Sequence, residues 1–401
     1  MPTAPEVATH IPLADPAYPS VGAATALLDA YTPGARFLAT PTRTLLAHGV
    51  HAEVPHGEGP LSQRVAGALD AARDRGVPTP VVVGATPFDP HAPAALVVAD
   101  DVRTGPPLTA DPLIALPAET PSAVDWRIRP VPAPEAYGAG VAAAVERMWR
   151  GEFSKVVLAR TLELQAPGPL DIPSMLQRLA RRDPSGYTFA LPTGPGRTLL
   201  GASPELLVAR RGRRLTANPL AGSTPRSADL AEDVRRAAAL LESAKDMHEH
   251  AVVVDAVHQA LAPYCTTLDV PARPTLIRTA TMWHLSTTVT GELSEPEVSA
   301  LELASALHPT PAVCGTPTDT ARQVIRETEP FDRGFFTGMV GWGDADGNGE
   351  WVVTIRCAEA EDQSLRLYAG AGVVAASEPD AETAETGAKF RTFLNAVGAE
   401  L

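Results

Sequence analysis

The chain delivers its apolar residues in short runs that succeed one another as hairpins. The clearest case is "LLGASPELLVARRGRRLTANPL", where two alternating runs meet at Arg211-Gly212. Glycine at such a joint supplies the backbone freedom a tight turn needs. Further runs of this kind are "ARFLAT", "RTLLAHGV", "PVVVGATPFDP", "AALVVAD", "KVVLARTLEL", "PTLIRTATMWHLSTTVTGEL", "GFFTGMVGWGDADGNGEWVVTIRCAEA" and "SLRLYAGAGVVAAS". Consecutive hairpins pair antiparallel, whereas a doubly wound parallel sheet needs a helix between successive strands. The expected class is α+β, mixed helix and strand on antiparallel sheets, and not a Rossmann-type fold.

Helical patterns lie between these runs. "SQRVAGALDAARDRG" is amphipathic and ends at Gly76. Helices are also expected over Tyr137–Arg150, near "IPSMLQRLARR", from Ser227 to Ala262 with a break near Ser243, and from Asp380 to Val397. The Pro-rich stretch "PAETPSAVDWRIRPVPAPEAY" is either a boundary or a surface crossing. "DADGNGE" opens like a calcium loop. Its twelfth position is Ile355 and no helices flank it, so it reads as a hairpin turn.

A chain of 401 residues, 45% hydrophobic and 20% charged, can bury a sizeable core. Its net charge of −14 makes it a poor general partner for nucleic acid or an anionic membrane. An anionic ligand must then be held by a few local cations, a metal ion or helix N-termini. Three dispersed cysteines, Cys265, Cys314 and Cys357, fit neither a disulfide framework nor a cysteine zinc site. The first twenty residues carry no basic-then-apolar leader pattern, and no apolar run is long enough to span a membrane. The expected location is the cytoplasm.

"SAKDMHEH" (Ser243–His250) places Asp246, Glu249 and His250 on one helical face, with His248 turned away. Two carboxylates on one face suit Mg²⁺ or Mn²⁺ rather than zinc. The same residues also read as a capped helix start, Ser243 three places before Asp246. "EPDAETAETGAKF" repeats the pattern, with Glu382, Glu385 and Lys389 on one face; a solvated ion-paired face is the alternative. Gly370 and Gly372 in "YAGAGVVAAS" permit close backbone approach, or mark a bulge. Lys155 opens an apolar strand, where a lysine either snorkels to water or, if buried beside a metal, serves as a base. Glu205 enters another strand, where half-burial would raise its pKa and suit it to donate a proton.

Seven segments occur in order: "FSKVVLAR", "GASPELLVAR", "NPLAGSTPR", "SAKDMHEH", "LHPTPAVCGTP", "GEWVVTIRCAEA" and "YAGAGVVAASEPDAETAETGAK". Together they resemble the chorismate-utilising enzymes, among them isochorismate synthase, salicylate synthase, anthranilate synthase component I and aminodeoxychorismate synthase. The resemblance runs from about Tyr137 to Val397 and reaches the N-terminal part through "GATPFDP". It implies an anthranilate synthase component I-like fold, a large antiparallel β-sandwich with helices packed outside. The whole chain, 1–401, would be one domain: a chorismate-binding core over about 137–397, with residues 1–125 adding strands. The Pro-rich stretch then becomes a crossing.

The resemblance also implies Mg²⁺ and chorismate. It makes Glu249 and Glu385 metal ligands, with Asp246 and Glu382 in or just behind the metal shell; Asp246 stands where salicylate synthases tend to carry Glu. Substrate would be held by Arg356, Lys389, the backbone around Gly370, Ala371 and Gly372, and the Ala221-Gly222-Ser223 segment. His308 would orient substrate or simply pack. Lys155 becomes the base for water attacking C2, and Glu205 the acid for the departing C4 oxygen. Ammonia-using members carry another residue at the Lys155 position, so no glutaminase subunit is expected, and the branch habit is a monomer. Ala221 stands where aminodeoxychorismate synthases carry a nucleophilic lysine. The closest branch is isochorismate synthase, feeding siderophore, salicylate, menaquinone or antibiotic pathways. Salicylate synthase, which goes on to eliminate pyruvate, and a catalytically silent metal-binding homologue remain alternatives.

Overall fold

The structure is a computed structural model and describes residues 20–121 and 124–400. The leader reading of the first residues therefore lies outside the described residues up to residue 19. The strands form two large sheets and one small one, and every strand pairing is antiparallel.

The first large sheet runs in spatial order Gly315–Thr316, Lys155–Gln165, Ser364–Val374, Cys357–Glu361, Arg197–Ser203, Tyr187–Gly194, Arg36–Ala39, Thr44–His48 and Asp101–Gly105. The second runs Cys265–Asp269, Val289–Leu293, Arg214–Asn218, Leu206–Arg211, Gly349–Val353, Met339–Asp344, Val81–Thr86, Ala95–Val98 and Ala52–Glu53. Residues before Asp111 and residues after Lys155 thus share both sheets. The small sheet holds Leu220–Pro225, Met282–Ser286 and Thr275–Arg278.

The two large sheets face each other. Leu38, Phe189 and Leu199 from the first interdigitate with Val83, Val340 and Val352 from the second. Helices close the outer faces. Ile172–Arg182 and Pro379–Val397 cover the first sheet, and Leu61–Asp74 and Ala300–Leu307 cover the second. Helices Pro134–Trp149 and Thr318–Thr328 seal Val156, Leu158 and Val373. Full burial of each Leu, Val or Phe contributes about 1.5–3 kcal/mol.

The long helical stretch is broken where the spacing placed the break. Leu230–Glu242 ends and Ala244–Leu261 begins at Ser243, whose extended backbone serves both. Its side chain accepts the Asp246 amide at 3.2 Å, a true N-cap. The Pro-rich stretch differs from expectation in its second half. Arg127–Val131 pairs along Lys155–Gln165, and its Pro130 is tolerated because the strand lies off the main path of the sheet. No helix among the described residues is long and apolar enough to cross a membrane.

Candidate active site

The pairing of Lys155–Gln165 with Ser364–Val374 builds one wall of a narrow pocket. Lys155 lies opposite Val374, Val157 opposite Gly372 and Ala159 opposite Gly370. Side chains alternate across a strand, so Lys155 and Val157 face the pocket with the two glycines. Ala371 points to the other side, with Val156, Leu158 and Val373 in the outer helix layer. The glycines leave room that something else fills. A Cβ on Gly372 would lie 2.3 Å from Glu249 Oε1.

Lys155 is 1% exposed, and its Nζ lies 2.9 Å from Glu249 Oε1 in an ion pair without hydrogen-bond alignment. Glu249 comes from the helix that Ser243 caps, one turn after Asp246. Gly222, at φ +78°, lets the small sheet approach that helix, its Cβ position 3.0 Å from Asp246 Cβ. His250, on the same helix, is tied off: Nδ1 lies 3.2 Å from the Ala221 carbonyl and Nε2 2.7 Å from Thr287 Oγ1. It fixes the "LAGS" strand and is not turned to the acidic cluster.

The final helix supplies Glu382, Glu385 and Lys389. Lys389 Nζ lies 2.6 Å from Glu385 and donates to the Gly370 carbonyl at 2.7 Å. Burial alone would raise the Glu385 carboxyl; the Lys389 ammonium and a 3.0 Å hydrogen bond from Ser223 Oγ bring it below its ordinary value instead. Glu382 sits deeper and pairs with Lys245 at 2.8 Å. Burial, then the charge of Glu385, raises its pKa. Burial also raises Asp246, against the hydrogen bond from Ser243 Oγ.

Two groups complete the pocket. Glu205 is 3% exposed, and burial pushes its carboxyl up to about 7 against the Leu220 amide and the charges of Lys155, Arg356 and Lys389. Arg356 sits where the chain leaves Gly349–Val353 of one large sheet for Cys357–Glu361 of the other, at φ +50°. Burial lowers it to about 10, opposed by Glu385 and Glu205, and the described residues give its guanidinium no ion pair.

Of the residues singled out from sequence, Glu205, Ala221, Gly222, Ser223, Glu249, Arg356, Gly370, Gly372, Glu385 and Lys389 line this one pocket, with Lys155 against Glu249. Asp246 and Glu382 stand behind it, and Ala371 faces away. His308 is outside the lining: its Nε2 donates to the Thr337 carbonyl at 2.8 Å. Sequence reasoning missed His284, Tyr368, Phe336 and Lys245. His284 is buried with Nε2 unpartnered, and burial, then Arg356 and Lys389, hold it well below its ordinary value. Its one signal was a polar residue on the inward face of an alternating strand, "MWHLS".

The donor set fits a hard divalent cation. Glu249 and Glu385 bring carboxylate oxygens from two helices to one pocket, with Asp246 and Glu382 behind. No three acidic, histidine or cysteine side chains among the described residues are grouped as a complete cage. Mg²⁺ does not require one, since it takes one or two carboxylates and fills the remainder with water and substrate.

Comparison with known proteins gives concordant matches. The family model for chorismate binding enzymes matches residues 115–398. Isochorismate synthase DhbC of Bacillus subtilis is 57% identical over 385 residues, covering 93% of this chain and 96% of the relative. The vibriobactin-specific isochorismate synthase of Vibrio cholerae is 44% identical, covering 91% and 92%. The crystal structure of a Bacillus anthracis protein assigned as a 2,3-dihydroxybenzoate-specific isochorismate synthase, DhbC, gives a TM-score of 0.88 at 49% identity, covering 94% of this chain and all of that one.

Proposed function

The chain belongs to the chorismate-binding enzyme family, and from that premise we propose that it is an isochorismate synthase, converting chorismate to isochorismate with Mg²⁺. The observation that carries the reading is the pairing of a buried carboxyl pushed up to about 7, Glu205, with a buried lysine, Lys155, at one pocket. Water attacks C2 while Lys155 takes its proton. The ring double bonds shift, the C4–oxygen bond breaks, and Glu205 protonates the departing hydroxyl. One water enters and one leaves, so the net change is an isomerisation.

Arg356 grips one substrate carboxylate in a fork, helped by Lys389 and the backbone of Gly370 and Gly372. Glu249 and Glu385 hold the metal, with Asp246 and Glu382 supporting them. Mg²⁺, when bound, offsets the charge of the ring carboxylate. Water is the nucleophile, so no glutaminase partner is required, and the protein works as a cytoplasmic monomer. The vibriobactin-specific relative favours a siderophore route for the product.

The test is incubation with chorismate and Mg²⁺, with products separated by chromatography. The expected outcome is an equilibrium mixture of chorismate and isochorismate, abolished by EDTA and free of pyruvate. Stoichiometric pyruvate with salicylate would move the protein to the elimination branch. Absence of product from folded protein would sink the enzymatic reading.

A further inference from the structure

A second cavity, of about 650 Å³, opens beside the loop Gly57–Pro60 and is lined by His308, whose Nε2 meets the carbonyl of Thr337 on the first pocket's lining. Its walls are largely apolar: Leu61, Pro87, Pro90, Ala94 and Met339. Four polar features converge on it, and the reaction described above uses none of them.

The helix Leu61–Asp74 begins at its rim. Its N-cap is Pro60, which has no side chain able to cap, so the positive end of a 14-residue helix faces the cavity uncapped. Arg64 stands on the first turn. Its guanidinium donates to the Pro55 carbonyl at 2.6 Å, and its buried Nε has no partner. Thr86 is 4% exposed and lines the same space, and its hydroxyl is also buried without a partner. Buried polar groups without partners cost free energy, and a ligand that supplies the missing bonds recovers it.

The fourth group fixes what else the ligand carries. A carbonyl oxygen only accepts, so His308 Nε2, 2.8 Å from Thr337 O, holds a proton. Burial lowers the ring to about 4, which keeps it neutral near pH 7. Nδ1 is then an acceptor and makes no hydrogen bond to the described residues. The acid on the lining, Glu58, is exposed.

We propose that this cavity binds a small hydroxylated aromatic acid, separately from chorismate. The carboxylate is met by Arg64, the Thr86 hydroxyl and the helix N-terminus. The ring packs on Leu61, Pro87 and Met339, and a ring hydroxyl donates to His308 Nδ1.

The probe is 3-hydroxybenzoate, titrated calorimetrically into the Mg²⁺-loaded protein. Saturable binding is expected, weakened about tenfold or more by Arg64→Met and by the isosteric Thr86→Val. The neutral 3-hydroxybenzamide should bind at least about tenfold more weakly than the acid. Chorismate kcat/KM of both variants should stay within about twofold of wild type, because neither residue touches the catalytic pocket. Four results would each overturn the site: lack of saturable binding, unchanged affinity in both variants, equal binding of the amide, or displacement of the probe by chorismate. None of them depends on whether chorismate is turned over.

Discussion

Lys155 and Glu249 neutralise each other inside the pocket, 2.9 Å apart and both buried. Removing one partner of such a pair leaves a buried charge uncompensated. Lys155→Met should therefore lower stability by about 3 kcal/mol as well as abolish isomerisation. Denaturant unfolding measures the first effect and product chromatography the second. Near-normal turnover would remove Lys155 as the base.

Glu205 gives a prediction in pH. Its folded pKa of about 7 lies above the ordinary 4.5, so folding favours the protonated form. The stability this contributes is complete below about pH 4.5 and is lost as pH rises to about 7, leaving a buried carboxylate above it. Glutamine is neutral throughout. Glu205→Gln should be inactive, yet more stable than wild type by up to about 3 kcal/mol at pH 8 and little different at pH 4. A stability difference independent of pH would refute the raised pKa.

Glu385→Gln tests the metal site without relying on turnover. Glutamine keeps the Ser223 contact and removes the charge. Calorimetric Mg²⁺ binding should weaken about tenfold or more, and the Mg²⁺ needed for half-maximal rate should rise in step. An unchanged titration would take Glu385 out of the metal shell.

Gly372→Ala should cost activity chiefly through Glu249, because the new Cβ would press on Oε1 from 2.3 Å and also crowd Lys155 Cε at 3.3 Å. We expect at least about a hundredfold loss in kcat/KM with the fold retained, since small misplacements of a binding group are this expensive. Gly67→Ala is the control. It lies within the helix Leu61–Asp74 with nothing within 4 Å of its Cβ position, and should stabilise by about 0.5–1 kcal/mol with activity intact.

Some of this architecture was legible from periodicity. The hairpin at Arg211-Gly212, the helix break at Ser243 and the shared faces of Asp246 with Glu249 and of Glu382 with Glu385 follow from spacings of two, three and four residues. Lys155 and Glu205 were visible as polar residues at the mouths of apolar strands. Long-range pairing was not. Lys245 reads as one more charge on an acidic helix start, and only the packing of two helices 137 residues apart brings it to Glu382. His284 gains its significance from Arg356 and Lys389, which arrive from other elements.

Arg356 stands at a step where the chain crosses directly from Gly349–Val353 of one sheet to Cys357–Glu361 of the other. Its guanidinium is therefore aimed by the relative position of both layers of the sandwich. A slip of one layer over the other would move the anion grip even with every local hydrogen bond intact. Substrate affinity in this protein is thus a gauge of how the two halves of the sandwich are docked, and mutations in the shared interior, far from any reacting atom, should register first as a change in KM.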